Sequence, residues 1–251
     1  MDKSEQRVAI VTGAGQGIGA ACARALARAG YRLAVMSPSE RSIEVARELG
    51  GYGRRGSVLE PADIADFVAE VMARFGRIDV VVNNMGHGGG LPQEVQTFGY
   101  DADFKGSALD IEDSVWHESL DMYLLNVVRM ARAITPIMVA QGGGAFVNIS
   151  SPNALEPRQM YPMSALRGAL HSFTKLYADR YARNNIRMNN LLPGFCENVS
   201  ISPRALREIP MGRPANFEEI ASVCVFLASD GASYLTGQNI AADGGLNRAA
   251  R

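Results

Sequence analysis

The sequence predicts a doubly wound α/β fold, a mostly parallel sheet with helices on both faces. Three observations predict it. Short apolar runs alternate with longer stretches of helical spacing. The runs are apolar almost throughout rather than alternating, which suits parallel strands buried on both faces. The first run leads directly into a glycine-rich turn and an alanine-rich helix. Strand–helix–strand repetition of this kind implies right-handed crossovers and a layered α/β sheet.

The elements follow in order. Residues 8–11 (Val-Ala-Ile-Val) read as the first strand. The turn Thr12-Gly13-Ala14-Gly15-Gln16-Gly17-Ile18-Gly19 follows, then a helix over 18–29. Residues 33–36, 80–82, 146–149 and 188–192 read as further strands, and 42–49, 62–75, 115–139 and 164–183 as helices. Two stretches break the rhythm. Residues 87–113 open with His87-Gly88-Gly89-Gly90 and carry Phe98, Tyr100 and Phe104, which reads as an inserted loop and a candidate lid. Residues 198–210 show no clear period. In this fold class both stretches follow strand C-termini, where ligands sit.

Composition bounds the function. A chain of 251 residues without repeats or a low-complexity linker reads as one domain over 1–251. The net charge of −1 excludes a nucleic-acid binder that works by bulk charge. Cys22, Cys196 and Cys224 are far apart, so neither a disulfide framework nor a metal site is expected, and buried apolar roles are. With no signal peptide and no apolar run near membrane-spanning length, a cytoplasmic protein without membrane contact is expected. The only lysines are Lys3, Lys105 and Lys175, against twenty-two arginines.

The glycine turn has the context that a phosphate needs. Gly13 allows a tight turn after the strand. Gly17 and Gly19 allow close backbone approach, and the helix N-terminus offers free N–H groups. With Gln16 and Ile18 between them, these residues are the candidate pyrophosphate cradle.

The G-x-x-x-G-x-G spacing resembles the short-chain dehydrogenase/reductase family, whose fold is Rossmann-like. Further motifs agree in order: Asn83-Asn84-Met85-Gly86, Asn126 in the long helix, Asn148-Ile149-Ser150-Ser151, Tyr161, Asn190-Leu191-Leu192-Pro193-Gly194, Leu235-Thr236-Gly237-Gln238 and Asp243-Gly244-Gly245. The resemblance runs from about Arg7 to Gly245. It implies an oxidoreductase moving hydride between a nicotinamide dinucleotide and a small carbonyl or alcohol. It places Ser151 (or Ser150), Tyr161 and Asn126 in the catalytic set. Gly13, Gln16, Gly17, Ile18, Gly19, Ser37, Ser57, Val58, Asn84, Gly86, Pro193 and Gly194 are placed at the cofactor. It also implies a homotetramer or homodimer paired through the two long helices. At the end of the second strand stands Ser37 rather than an acid, with Arg41 nearby, which favours NADP over NAD although Glu40 adjoins.

One departure matters. The family sets a lysine four residues after its tyrosine, to lower the tyrosine's pKa from ~10. Here Tyr161 is followed at that step by Ala165. Lys175 is fourteen residues on, about 21 Å along a helix. Arg167, six residues on, is expected on a different face, and arginine is no proton shuttle. His87 is the other candidate substitute. The interval from Ser151 to Tyr161 is ten residues, below the family's usual interval of about thirteen. Three functions therefore stay open: an oxidoreductase with a modified proton path, a ligand-binding protein with little turnover that acts as sensor or structural partner, and a non-redox dehydratase or epimerase.

Overall fold

The computed structural model describes residues 6–85, 103, 105–157 and 162–249. Its strands are β1 Val8–Thr12, β2 Arg32–Ser37, β3 Tyr52–Arg55, β4 Val80–Asn83, β5 Gly144–Ile149, β6 Ile186–Pro193 and β7 Asn239–Ala242. They form one sheet in the order β3-β2-β1-β4-β5-β6-β7, and every neighbouring pair is parallel. Five of the seven match apolar runs in the sequence. The other two, β3 and β7, are the sheet edges, and their residues are mostly half-buried. An edge strand loses one covering neighbour, so it needs no continuous apolar run.

The helices are α1 Gly17–Arg28, α2 Arg41–Glu48, α3 Pro61–Phe75, α4 Asp113–Leu120, α5 Asn126–Gln141, α6 Met163–Tyr181, α7 Pro203–Glu208 and α8 Phe217–Ala228. The last two were not legible as periods. α7 falls inside the stretch 198–210, started by Ser202, whose side chain accepts from the Ala205 N–H. α8 starts on a capping box between Asn216 and Glu219.

The two faces of the sheet are packed differently. One is covered by α1 and α8 through small side chains: Ala20, Ala21, Cys22, Ala23, Ala221 and Cys224 are all buried. The other is covered by α3, α5 and α6 through large ones, among them Phe67, Met130, Met138 and Tyr177, packed with Phe146 of β5. All three cysteines are buried and free.

The helix expected over 115–139 lies within one continuous helical run, Asp113–Gln141. α4 and α5 are joined by a five-residue π turn, Asp121–Leu125, which ends at Asn126. The continuous run Asp113–Gln141 is long and apolar enough to cross a bilayer by length and composition. Here it is a core helix: Met130, Ile134 and Met138 are fully buried in the layer against the sheet.

Candidate active site

Strand order reverses between β1 and β4, and a cleft of about 480 Å³ opens beyond the strand C-termini there. One end is the glycine turn. Gly13 has φ +63°, and a Cβ on it would lie 2.3 Å from the Asn84 carbonyl oxygen. Only glycine fits, because the Asn84 side chain donates back to the Gly13 carbonyl and its N–H donates to Thr12 Oγ1. Gln16 precedes α1 without capping it through its side chain, so the first N–H groups of the helix face the cleft.

Gly13, Gln16, Gly17, Ile18, Ser37, Asn84, Pro193 and Gly194 all line this cleft, as the sequence places them. Three others are not among the residues that line it. Gly19 lies in the first turn of α1 against Asn84, where a Cβ would come within 2.3 Å of its amide. Val58 is buried in the core with Ile64 and Phe67. Ser57 is turned inward: its N–H donates to Asp63 and its hydroxyl accepts from the Leu59 N–H. Asp63 of α3 reaches back to close that turn, which removes both residues from the cleft's lining. Gly86, Tyr161, His87 and most of the 87–113 insertion lie outside the described residues.

Beside the turn, Ser37, Ser39 and Arg41 form a polar rim. Ser37 Oγ donates to the Ser39 carbonyl, and Arg41 bonds the Gln16 side chain. Glu40 is drawn off to Arg55, which also donates to the Pro38 carbonyl. No carboxylate is among the cleft-lining side chains at this rim.

The other end of the cleft is built by the β5 terminus and the start of α6. Ser150 and Ser151 both line it. Ser151 Oγ accepts from the Asn153 N–H and so starts the short turn Pro152–Ala154. Ser150 Oγ is 2.8 Å from His171 Nε2. Met163 and Arg167, one helical turn apart on α6, face the same space.

The expectation that the chain has a hole where a cation is needed is therefore corrected. Ala165 is exposed, while Arg167 is 5% exposed and lines the cleft. α6 begins at Met163 after Pro162, so the face toward the cleft is the one carrying Met163 and Arg167. The missed signal was in the count. Thirteen residues from Ser150 reach Met163, and four more reach Arg167. Anchoring the count on Tyr161 displaced it by two.

Arg167 is unusual for a buried arginine. One guanidinium nitrogen donates to the Met85 carbonyl at 3.0 Å, and the group lies 5.1 Å from the Tyr123 ring centre. Its Nε is buried with no partner, and among the described residues no carboxylate pairs with it. Burial pulls its pKa down to about 10. An unpaired buried charge is costly, so a group that balances it is expected from a bound molecule. Cys196, also in the lining, has its thiol pushed up to about 11 by burial, which favours the neutral thiol at neutral pH.

Asn126 does not line the cleft. Its amide donates to the Met122 carbonyl and, at 3.4 Å, to that of Asp121, tying off the π turn. Met122 reaches the cleft wall instead. Below the site, Asn83, Asn148, Asn190 and Asn239 stand in register across β4 to β7. Asn83 donates to Asn148 at 2.8 Å, Asn148 to Asn190 at 3.0 Å, and Asn190 to Asn239 at 2.7 Å. Among the described residues no cluster of three or more His, Cys, Asp or Glu is arranged to hold a metal.

Fold and site together define an oxidoreductase of the doubly wound α/β class. The comparisons make this specific. Residues 13–247 match the family model described as Enoyl-(Acyl carrier protein) reductase. The chain is 32% identical to cis-4-hydroxycyclohexanecarboxylate dehydrogenase of Sinomonas cyclohexanicum, over 96% of each chain. It is 29% identical to the 3-oxoacyl-(acyl-carrier-protein) reductase FabG of Escherichia coli, over 96% of this chain and 98% of that one. An actinorhodin polyketide ketoreductase, solved with NADPH, superposes with a TM-score of 0.87 at 28% identity over 99% of this chain and 100% of that one. The chain belongs to the short-chain dehydrogenase/reductase family.

Proposed function

We propose that this protein is a nicotinamide-dinucleotide-dependent reductase or dehydrogenase of a small carbonyl or alcohol, with Arg167 as its fixed cation. The observation that carries this is the buried Arg167, paired with no carboxylate among the described residues, in the same cleft as the glycine turn and Ser150. The residues present fit the cofactor. Gly13, Gly17 and the uncapped start of α1 suit a pyrophosphate, and Ser37, Ser39 and Arg41 suit a 2′-phosphate, which favours NADP. When bound, the dinucleotide supplies or accepts the hydride. The ketoreductase relative, solved with NADPH, supports the same choice.

This chain's own groups handle the oxygen. Negative charge that builds on a carbonyl oxygen during reduction is stabilised by the buried guanidinium of Arg167. The Ser150 and Ser151 hydroxyls, which line the cleft, hold the same oxygen, and Tyr161 is the proton donor that the family resemblance implies. The active unit is a homotetramer or homodimer paired through α5 and α6, where Val139 and Leu176 are exposed apolar side chains.

The test is to titrate purified protein with NADPH and NADH, then follow loss of the reduced cofactor's absorbance over a panel of ketones, including oxo-acids and oxoacyl thioesters. Tighter binding of NADPH and turnover of at least one class are expected. Binding without turnover across the panel would mean a sensor or structural partner instead. Product formation without change in cofactor absorbance would mean a dehydratase or epimerase.

A further inference from the structure

We infer that His171 is the proton source of this site, acting through Ser150. The inference rests on the proposed reaction and moves its last donor from Tyr161 to Ser150. The starting point is a deficit. Arg167 supplies charge but not protons, because a guanidinium does not give one up near neutral pH. A site built on arginine needs a separate way to replace the proton that each reduction consumes.

The structure provides such a route on α6 itself. His171 stands one turn beyond Arg167, and its Nε2 is 2.8 Å from Ser150 Oγ. Ser150 is 7% exposed and His171 8%. Ser150 faces the main cleft. His171 lines a second hollow of about 540 Å³, with Gly168, Lys175, Gly237 and Asn239. The two spaces share no lining residue. The Ser150–His171 pair therefore connects them, with one hydrogen bond in between.

The polarity of that bond decides what Ser150 presents to a substrate. When Nε2 carries a hydrogen, Ser150 accepts it and its own O–H is free to point into the cleft. A carbonyl or alkoxide oxygen needs that donor. When Nε2 is bare, Ser150 donates to it and presents lone pairs, which suits an alcohol about to lose its proton. In reduction, a bound reduced nicotinamide would supply the hydride to the carbonyl carbon. Ser150 gives its proton to the resulting alkoxide, and His171 in its imidazolium form gives its Nε2 proton to Ser150. The neutral ring then takes a proton from water in the second hollow. One hydride and one solvent proton are consumed, and alcohol and oxidised cofactor result. Imidazole is suited to this because its ordinary pKa of ~6.5 lets it hold either state near neutrality.

Charged groups on the elements packed around this stretch are few. Arg167 and Lys175 lie one turn to either side on α6, and Asp179 pairs with Lys175. The π turn carries Asp121, paired with Arg129, and Tyr123. Glu156, beyond the Pro152–Ala154 turn, accepts from the Arg248 N–H. β6 and β7 contribute the neutral Asn190 and Asn239.

The experiment uses the full chain and two readouts. First, histidine ¹⁵N spectra of the cofactor-free protein follow His87, His117 and His171 from pH 5 to 9. His171 is expected to titrate in that range, and Ser150→Ala is expected to shift its resonances and leave His117 unchanged. A His171 that keeps one protonation state across the range overturns the inference. Second, His171→Gln keeps a hydrogen-bonding side chain but carries no titrating proton. Its kcat is expected to fall 30-fold or more while KM for NADPH stays within twofold. His171→Ala is expected to regain tenfold with added imidazole, which has room in the second hollow. If Tyr161→Phe abolishes turnover while His171→Gln turns over within twofold of the parent, the donor is Tyr161 and the inference fails, with the proposed reaction intact. A parent protein that turns over no carbonyl overturns both.

Discussion

The two ends of the cleft are made by opposite means. The glycine turn is a backbone construction: Gly13 and Gly19 are required because the Asn84 carbonyl and amide occupy the space where a Cβ would go. The far wall is a side-chain construction, in which Ser150 and Arg167 present a hydroxyl and a guanidinium, with the His171 imidazole behind Ser150. A backbone site tolerates no added atom but depends little on side-chain chemistry. A side-chain site keeps its shape under substitution and loses only its chemistry. The difference explains why the first was legible in the sequence and the second was not.

That contrast can be broken most severely at Gly13. Gly13→Val places a branched side chain on Asn84 at a positive φ, and we expect loss of dinucleotide binding together with a large drop in thermal stability, read by calorimetry. At the opposite end, Arg167→Met should behave in the reverse sense. Turnover is expected to fall by about 10²–10³, as on removing one group that stabilises transition-state charge. Melting temperature should rise, because an unpaired buried charge is replaced by an apolar side chain of similar length. A lower melting temperature for Arg167→Met would show that the structure already balances that charge.

Asn148→Ala probes what lies under both. It strips partners from Asn83, Thr174 and Asn190 at once, and about 2–4 kcal/mol of stability should go, measured by urea unfolding. A smaller effect is expected from Arg41→Ala, roughly tenfold weaker NADPH binding or about 1.4 kcal/mol, with NADH unaffected. The smallest concerns Glu219, whose pKa is lowered to about 2 by Arg213 and the Asn216 N–H. A carboxylate with a lowered folded pKa adds stability above its ordinary value near 4.5, and that stability is lost as pH falls toward 2. Glu219→Gln should flatten the acid limb of a stability–pH profile and leave the neutral-pH cleft unchanged.

The strands and helices that were read from the sequence share one property, a face or pair of faces fully covered by other elements. β3 and β7 escaped because they are edges. α8 is apolar nearly all round, so it shows no amphipathic period, and its start is marked only by the Asn216–Glu219 box. In the site, the phosphate turn was readable because its glycines lie within ten residues of one another, directly after a strand and before a helix, although Asn84 is what requires Gly13 and Gly19. Arg167 was legible only as one of two candidate substitutes, because its orientation depends on where α6 begins, which Pro162 sets. Ser57 and Val58 failed for a similar reason. Asp63, in the next helix, turns that segment inward.

The four aligned asparagines across β4 to β7 have a consequence of their own. All their amides point the same way along the row. If β5 slid by a single residue, Val147 or Ile149 would stand where Asn148 does, and the amides of Asn83 and Asn190 would lose their partner. Apolar strands alone would resist such sliding weakly, since valine fits beside valine in many alignments. The row thus works as a key that only one alignment turns. It ties correct assembly of the sheet to correct placement of the Ser150 end of β5, so a chain that folds out of step has no working cleft.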